Sequence, residues 1–395
     1  MAINDTIIRQ RNDAIGAALP RILSGNVLVA LSAFVVLAAA SKAMPLTEFA
    51  ELSLLMSAAM VGSCVLDFGL NTTVVKQFSA SQDEAFLHGV VILKGIVFAL
   101  SILASALMVA GGLPLVWGVV AVCAGAMNLW TGLRACEQGR QNFHAYARSN
   151  ALFSLARLVF GMTAILIGSW ILVGLALWVA PVIAIALLKC ADIRNTNWPE
   201  ARRVFSQIAA YSWIVYFSSL AFAVLPYLPL FFAKERLTTA DVAAFGMVLV
   251  ILGPVGILVS SVRGYALPML VSGREGTLLS ASRTALVLTG LAAFLAAGFF
   301  VLEALYAQTL PQLAEVFLVY AGLYSLTALL GVYNLRVHRE NRPMVELAGN
   351  LARLVLTCAA LFAFGHSLLA IAWIAGAVLV GGELAVAFAC SRSKQ

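Results

Sequence analysis

The chain has 395 residues, of which 62% are hydrophobic and only 11% charged, against about 25% charged in a soluble domain. This excludes an ordinary soluble globular protein and marks an integral membrane protein built from apolar runs of roughly 20 residues, the length a helical span needs. The net charge of +7 would point to nucleic acid in a soluble chain, but the basic residues here fall in loops and at helix ends, where they set orientation, so nucleic-acid binding is set aside.

Residues 1–19 are too poor in apolar side chains for a signal peptide, so the first helix is expected to stay as an anchor. Segment 1 covers about 20–43 and segment 2 about 48–66. The polar, glycine-containing stretch Asp67-Phe68-Gly69-Leu70-Asn71-Thr72-Thr73 then reads as a break. Segment 3 (85–110) turns at Gly111-Gly112-Leu113-Pro114 into segment 4, which ends near Arg134. A basic loop to Arg148 precedes segment 5 (149–167), and segment 6 ends near Lys189. The most polar interior stretch, 191–207, is read as a cytoplasmic linker. Segment 7 (208–233) contains Pro226 and Pro229, each removing a backbone hydrogen bond, which makes them candidates for a hinge. Segment 8 carries Pro254 and ends near Pro268, and segments 9 (278–306), 10 (313–335), 11 (344–364) and 12 (367–389) complete the count.

The expected fold is therefore an all-α integral membrane protein of about 12 transmembrane helices. It is arranged as two six-helix pseudo-symmetric bundles, 1–190 and 208–395, with both termini cytoplasmic. In that orientation only Lys42, Lys234 and Arg236 of the 25 Lys and Arg residues fall in the outer half, the asymmetry that the positive-inside rule demands.

The duplication has a local signature. Ser154-Leu155-Ala156-Arg157-Leu158-Val159-Phe160 returns half a chain later as Asn350-Leu351-Ala352-Arg353-Leu354-Val355-Leu356. At helical spacing the first copy has a polar or small face of Asn150, Ser154, Arg157 and Gly161, and the second of Glu346, Asn350, Arg353 and Thr357. A guanidinium in hydrocarbon costs about 2.5–3.5 kcal/mol or more, so both arginines are expected to face a polar interior, in a cavity shared by the two halves. Thr47-Glu48-Phe49-Ala50 and Ala240-Asp241-Val242-Ala243 form a second echo.

These residues resemble the oligosaccharide flippases, or polysaccharide export proteins, of the multidrug/oligosaccharidyl-lipid/polysaccharide superfamily. The resemblance runs along the whole chain and is carried by Leu46-Thr47-Glu48-Phe49-Ala50, Leu66-Asp67-Phe68-Gly69-Leu70, Ala240-Asp241-Val242-Ala243-Ala244-Phe245 and Pro268. Ala50 and Ala243 stand where the family usually has glycine. The resemblance implies a bacterial inner-membrane protein moving an undecaprenyl-diphosphate-linked glycan from the cytoplasmic to the periplasmic leaflet for O-antigen-type polysaccharide biosynthesis. It implies alternating access driven by a proton or sodium gradient, with membrane lipids, a polysaccharide polymerase and glycosyltransferases as partners, and no cofactor.

Arg157 and Arg353 lie about 12–16 Å into their helices. They either bind cargo phosphates bidentately together with Asn150 and Asn350, or they snorkel to the inner interface or pair with a carboxylate such as Glu346 or Glu383. Asp67, Glu383 and Glu346 are candidates for ion coupling; for Asp67 the competing reading is a helix-end cap. Tyr211, Trp213, Tyr216 and Tyr227 either stack on sugar rings or form an interface belt. The six cysteines show no paired spacing and the four histidines no metal-ligand spacing, so no metal site is expected. A drug or cation exporter of the same superfamily would place carboxylates at its deepest positions, where this chain has mainly arginines. A membrane-bound polysaccharide-synthesis enzyme would need long, acid-rich outer loops that are missing here.

Overall fold

The computed structural model describes residues 24–71, 74, 84–140, 142–193, 209–252, 281–310, 312–334 and 343–392. Among them the secondary structure is helical, in thirteen helices of nine residues or more, with Leu70, Asn71 and Val74 helical as well. The first half holds α1 (Ser24–Ala43), α2 (Leu46–Val65), α3 (Glu84–Ala110), α4 (Leu115–Gly139), α5 (Phe143–Ile167) and α6 (Trp170–Ile193). The second holds α7 (Ala209–Val224), α8 (Leu228–Arg236), α9 (Thr239–Leu252), α10 (Ala281–Tyr306), α11 (Leu313–Asn334), α12 (Pro343–Phe364) and α13 (Leu368–Arg392). With α7 and α8 counted as one bent segment these are the twelve expected segments. Among the described residues nine helices are long and apolar enough to cross a membrane, ten with the bent pair. Pro254, Pro268 and most of the 191–207 linker lie outside the described residues, while Ala191 to Ile193 continue α6.

Local chemistry accounts for the boundaries. Pro45 and Pro114 precede α2 and α4, where a residue without a backbone N–H costs no helical hydrogen bond. Thr238 and Asp241 form a reciprocal cap on α9: the Asp241 carboxylate accepts from the Thr238 N–H and hydroxyl at 3.1 and 2.7 Å, and the Asp241 N–H donates back to the Thr238 hydroxyl at 3.3 Å. Segment 7 is more than kinked. Turn residues 225–227 separate α7 from α8, the two axes meet at 42°, and Pro229 falls in the first turn of α8. The expected basic loop from Arg134 to Arg148 is instead almost entirely helical. α4 runs on to Gly139, and α5 opens at Phe143, capped by the Asn142 side chain accepting from the Ala145 N–H at 3.2 Å. Arg, Glu and Gln are good helix formers, so leaving the apolar slab does not end a helix.

The helices pack as two bundles. α3 with α4, α5 with α6 and α2 with α4 and α6 build the first; α10 with α11, α11 with α13, and α12 with α7 and α13 build the second. Outward faces are apolar, with Leu103, Leu107, Leu166, Phe300, Phe362 and Phe388 exposed, as lipid contact requires. One continuous apolar core is common to both bundles. It runs from Val36, Phe49 and Leu52 of the first to Leu230, Phe245, Phe317 and Ile371 of the second. All these positions lie toward the end that carries the short turns 44–45, 237–238, 307–310 and 365–367. The clusters built on Leu87 with Cys136, and on Trp130 with Phe153, lie toward the opposite, basic end and draw on the first bundle.

The three cations expected on the outer side are at the short-turn end, each tied down. Lys42 donates to the Leu305 carbonyl at 2.8 Å and lies 3.8 Å from the Tyr306 ring centroid, while Ser41 and Tyr306 share a 2.8 Å hydrogen bond. Lys234 pairs with Glu51 at 2.6 Å, and Arg236 donates to the Phe362 carbonyl at 3.2 Å. The first two contacts join one bundle to the other.

Candidate functional site: charges inside the bundles

The polar faces read at helical spacing are turned inward. Asn150, Ser154 and Arg157 are buried on α5 while Leu155, Val159 and Phe160 are exposed; Asn350, Arg353 and Thr357 are buried on α12 while Leu351, Val355 and Leu356 are exposed. Expected to face one shared cavity, the two guanidiniums are held separately, and their surroundings differ.

Arg157, 1% exposed, lies between α1 and α6. Its Nε donates to the Leu177 carbonyl at 2.8 Å and its Nη1 to the Val29 carbonyl at 2.9 Å. Leu177 stands four residues before Pro181, the proline inside α6. Proline has no N–H to offer, so the Leu177 carbonyl lacks its helical donor and the arginine supplies one. The guanidinium is flanked by the rings of Phe153 and Trp178, with centroids 4.4 and 4.5 Å away, a cation–π arrangement favoured in dry surroundings. Its Nη2 is buried without a hydrogen-bond partner.

Arg353, 3% exposed, is held by charge. Its Nη1 donates to Glu383 on α13 at 3.0 Å and to the Asn350 side-chain oxygen at 3.1 Å. Asn350 in turn donates to the carbonyl and hydroxyl of Ser218 on α7 at 3.2 and 3.0 Å. Gly382 makes this possible: a Cβ there would fall on the Arg353 side chain. Glu346 is half-buried in the first turn of α12.

Asn150 belongs to another cluster. The Asn26 side-chain oxygen on α1 accepts from Asn150 at 3.2 Å, from the Tyr146 hydroxyl at 2.7 Å and from Arg134 Nη2 at 2.6 Å, and Arg134 also donates to Tyr146. The Asn150 oxygen is buried without a partner. Half-buried Arg134 stands near the basic end of α4, five residues before that helix stops at Gly139. Farther out, Arg140 grips Glu84 at 2.6 Å. Half-burial alone would pull the Arg140 pKa down, but the hydrogen bonds and charge of Glu84, with the charge of Glu137, turn the net direction upward.

Asp67 sits in the turn after α2, where Phe68 and Gly69 both adopt positive φ, 51° and 70°. Its carboxylate pairs with Lys94 of α3, which also donates to the Asn128 side-chain oxygen on α4 at 2.5 Å. Asn128 completes the loop by donating to the Leu66 carbonyl at 3.1 Å. Lys94, Asn128, Arg134 and Asn26 were not among the residues singled out by the repeat. Lys94 carries the same signal as the arginines, a single cation ten residues into an apolar helix, but it has no echo in the second half.

Of the helix 7 aromatics, Tyr216 is buried and donates to the Val65 carbonyl of α2 at 3.0 Å, while its ring stacks on Phe68 with centroids 5.8 Å apart. Trp213 is exposed and meets Tyr216 edge-on at 5.7 Å. Tyr227 precedes α8, and the Tyr211 side chain lies outside the described residues. Pro226 offers its carbonyl to the Tyr320 hydroxyl at 3.1 Å, fastening the break to α11.

No family model matches the sequence, and no curated protein does. Solved structures match along nearly the whole chain. A MOP superfamily transporter from Pyrococcus furiosus with a binding pocket of reversed polarity matches at 14% identity, with a TM-score of 0.67 over 97% of this chain and 96% of that one. An outward-facing multidrug resistance transporter of the MATE family, in the same superfamily, matches at 14% identity, with a TM-score of 0.66 over 95% and 93%. A MATE protein in its straight conformation matches at 14% identity, with a TM-score of 0.63 over 96% and 95%. At that identity the relation is one of fold.

Proposed function

We propose that this protein is an alternating-access transporter of the bacterial inner membrane. Its cargo is a polyprenyl-diphosphate-linked oligosaccharide, carried from the cytoplasmic to the periplasmic leaflet and driven by an ion gradient. The observation that carries the cargo assignment is an imbalance of interior charge. Lys94 and Arg353 are each neutralised by a carboxylate, whereas Arg134 and Arg157 are held by neutral oxygens and aromatic rings. Two cations without anionic partners inside one bundle attract an anionic cargo, and guanidiniums match the oxygens of a diphosphate. Half-buried Arg134 would meet it first, with Asn26, Tyr146 and Asn150 beside it. Arg157 lies deeper, with one N–H group uncommitted, and Arg353 with Asn350 would form the corresponding surface of the second bundle.

Access from the basic side is supported by the position of the shared core, which joins the bundles at the short-turn end. That end would be the periplasmic one, by the distribution of Lys and Arg. The residues 1–190 and 208–395 would move as the two rocking units, with the break at Pro226 and Pro229 as a hinge between α7 and α8. A cation exporter on the same fold would need a carboxylate available to its cargo, and here Asp67 and Glu383 are each engaged by a cation. The Pyrococcus protein, with its pocket of reversed polarity, supports the idea that this fold serves cargoes of opposite charge.

The test is flipping in proteoliposomes of a fluorescent short-chain polyprenyl diphosphate bearing a disaccharide, read by a membrane-impermeant quencher. Wild type should flip it, and Arg134→Gln with Arg157→Gln should slow flipping by about a hundredfold or more, as loss of paired phosphate contacts does. Unchanged flipping in the folded double variant, or export of a cationic dye with no flipping of the lipid, would discard the assignment.

A further inference from the structure

We propose that the Lys94 ammonium is a tethered cation filling an oxygen cradle at the end of α2, so that the ion exchanged at this site is a proton and not sodium or potassium. Release of that proton loosens the turn through which α2 meets α7. The ion site stands on its own geometry. Only its use to drive cargo rests on the transporter reading above.

The cradle has the composition of an alkali-cation site: a carboxylate oxygen from Asp67 and an amide oxygen from Asn128, in an apolar surround. Hard monovalent cations take such oxygens, and an ammonium takes the same ones by hydrogen bonding. Here the cation is covalently attached. Lys94 is 0% exposed, and its stem lies across α4 at Gly132, where a Cβ would come within 2.9 Å of Lys94 Cγ. Glycine at 132 is what lets the stem pass. An ammonium anchored in this way leaves no room for sodium, and it can change the charge of the site only by giving up a proton.

A route for the proton is present. Asp67 contacts Lys94 on one side and keeps 17% of its side chain exposed on the other. The proton passes from the Lys94 ammonium to the Asp67 carboxylate and on to water, leaving a neutral amine; the reverse order reloads it. Among the described residues the other titratable groups facing the pair are Cys64 of α2 and Cys136 of α4 beside Lys94, and Cys64 and Tyr216 of α7 beside Asp67.

Among the described residues the same turn also brings the two bundles into contact, toward the basic end. Tyr216 of α7 donates to the Val65 carbonyl and stacks on Phe68. Phe68 is the non-glycine residue at positive φ among the described residues, a conformation a bulky side chain holds only when its surroundings impose it. The imposing contacts are Asp67 to Lys94 and Leu66 to Asn128. A carboxylate at a helix C-terminus also opposes the helix dipole, and the ammonium offsets both. With the ammonium neutral, that attraction is gone, and the turn is free to relax away from Tyr216.

The experiment measures radioactive sodium bound to purified full-length protein in detergent, with no cargo present. Wild type should bind none above background. Lys94→Ala, which empties the cradle, should bind one sodium per chain, and Asp67→Asn added to it should weaken that binding by about tenfold or more. Sodium bound equally by wild type, or none bound by folded Lys94→Ala, would overturn the proposal. Lys94→Arg guards against misfolding, because a guanidinium keeps the charge but does not give up a proton at working pH. With 5-fluorotryptophan at the seven tryptophans, the Trp213 resonance beside Tyr216 should shift with pH in wild type and stay fixed in Lys94→Arg. A pH shift retained in Lys94→Arg would equally overturn it. Neither readout involves cargo, so a wrong cargo assignment would leave both intact.

Discussion

Arg157 and Arg353 occupy corresponding places in a duplicated sequence, yet they are stabilised by different physics. In the first bundle the guanidinium mends a break in the neighbouring helix: Pro181 leaves the Leu177 carbonyl without its donor, Arg157 provides one, and two aromatic rings replace the counter-charge. In the second bundle the same side chain neutralises a buried carboxylate, Glu383, with Gly382 clearing its path. The arginine recurs in both halves, and its partners differ between them. A buried cation in a membrane protein can thus be kept by carbonyls and rings or by an acid, and the two solutions fail differently when disturbed.

The largest effect should come from Arg353→Ala, which takes from the buried Glu383 carboxylate the guanidinium it is paired with. Thermal unfolding in detergent should show a loss of about 3–5 kcal/mol. Adding Glu383→Leu should return most of it, because removing both charges is far less costly than removing one. If the double variant is no more stable than the single, Glu383 is not what Arg353 serves.

Arg157→Ala should cost about 2–3 kcal/mol, from a carbonyl left bare and the lost ring contacts. Here lysine is the sharper probe. An ammonium can reach Glu383, so Arg353→Lys should retain most of the stability, whereas it cannot lie flat between Phe153 and Trp178, so Arg157→Lys should behave nearly as alanine does. Equal rescue at both sites would erase the distinction.

Pro181→Ala restores an N–H for the Leu177 carbonyl. In a double-mutant cycle with Arg157→Ala the two changes should couple by about 1 kcal/mol, the alanine at 181 making the arginine less necessary. Additivity would mean that the proline and the arginine are unrelated. At the small end, the exposed Lys234 to Glu51 pair joins the bundles at the short-turn end, and Lys234→Ala should cost less than about 1 kcal/mol. That sets the floor against which both arginines are judged.

Much of this was readable in the chain because it is local. Apolar runs of membrane length, the prolines that open α2 and α4 and break segment 7, and the polar stripe at helical spacing are properties of neighbours in sequence, so the twelve segments and the buried faces of α5 and α12 follow from them. The stretch between Arg134 and Arg148 was misjudged because polarity marks where a helix leaves the membrane, not where it ends. What only the tertiary structure decided is which distant group answers each buried charge. Val29 and Leu177 for Arg157, Glu383 for Arg353, and Asp67 with Asn128 for Lys94 come from helices that meet through packing. Sequence periodicity says that a charge must be buried. The partner is chosen by which helix ends, bends or thins to glycine at the right depth, and that is settled only when the bundles close.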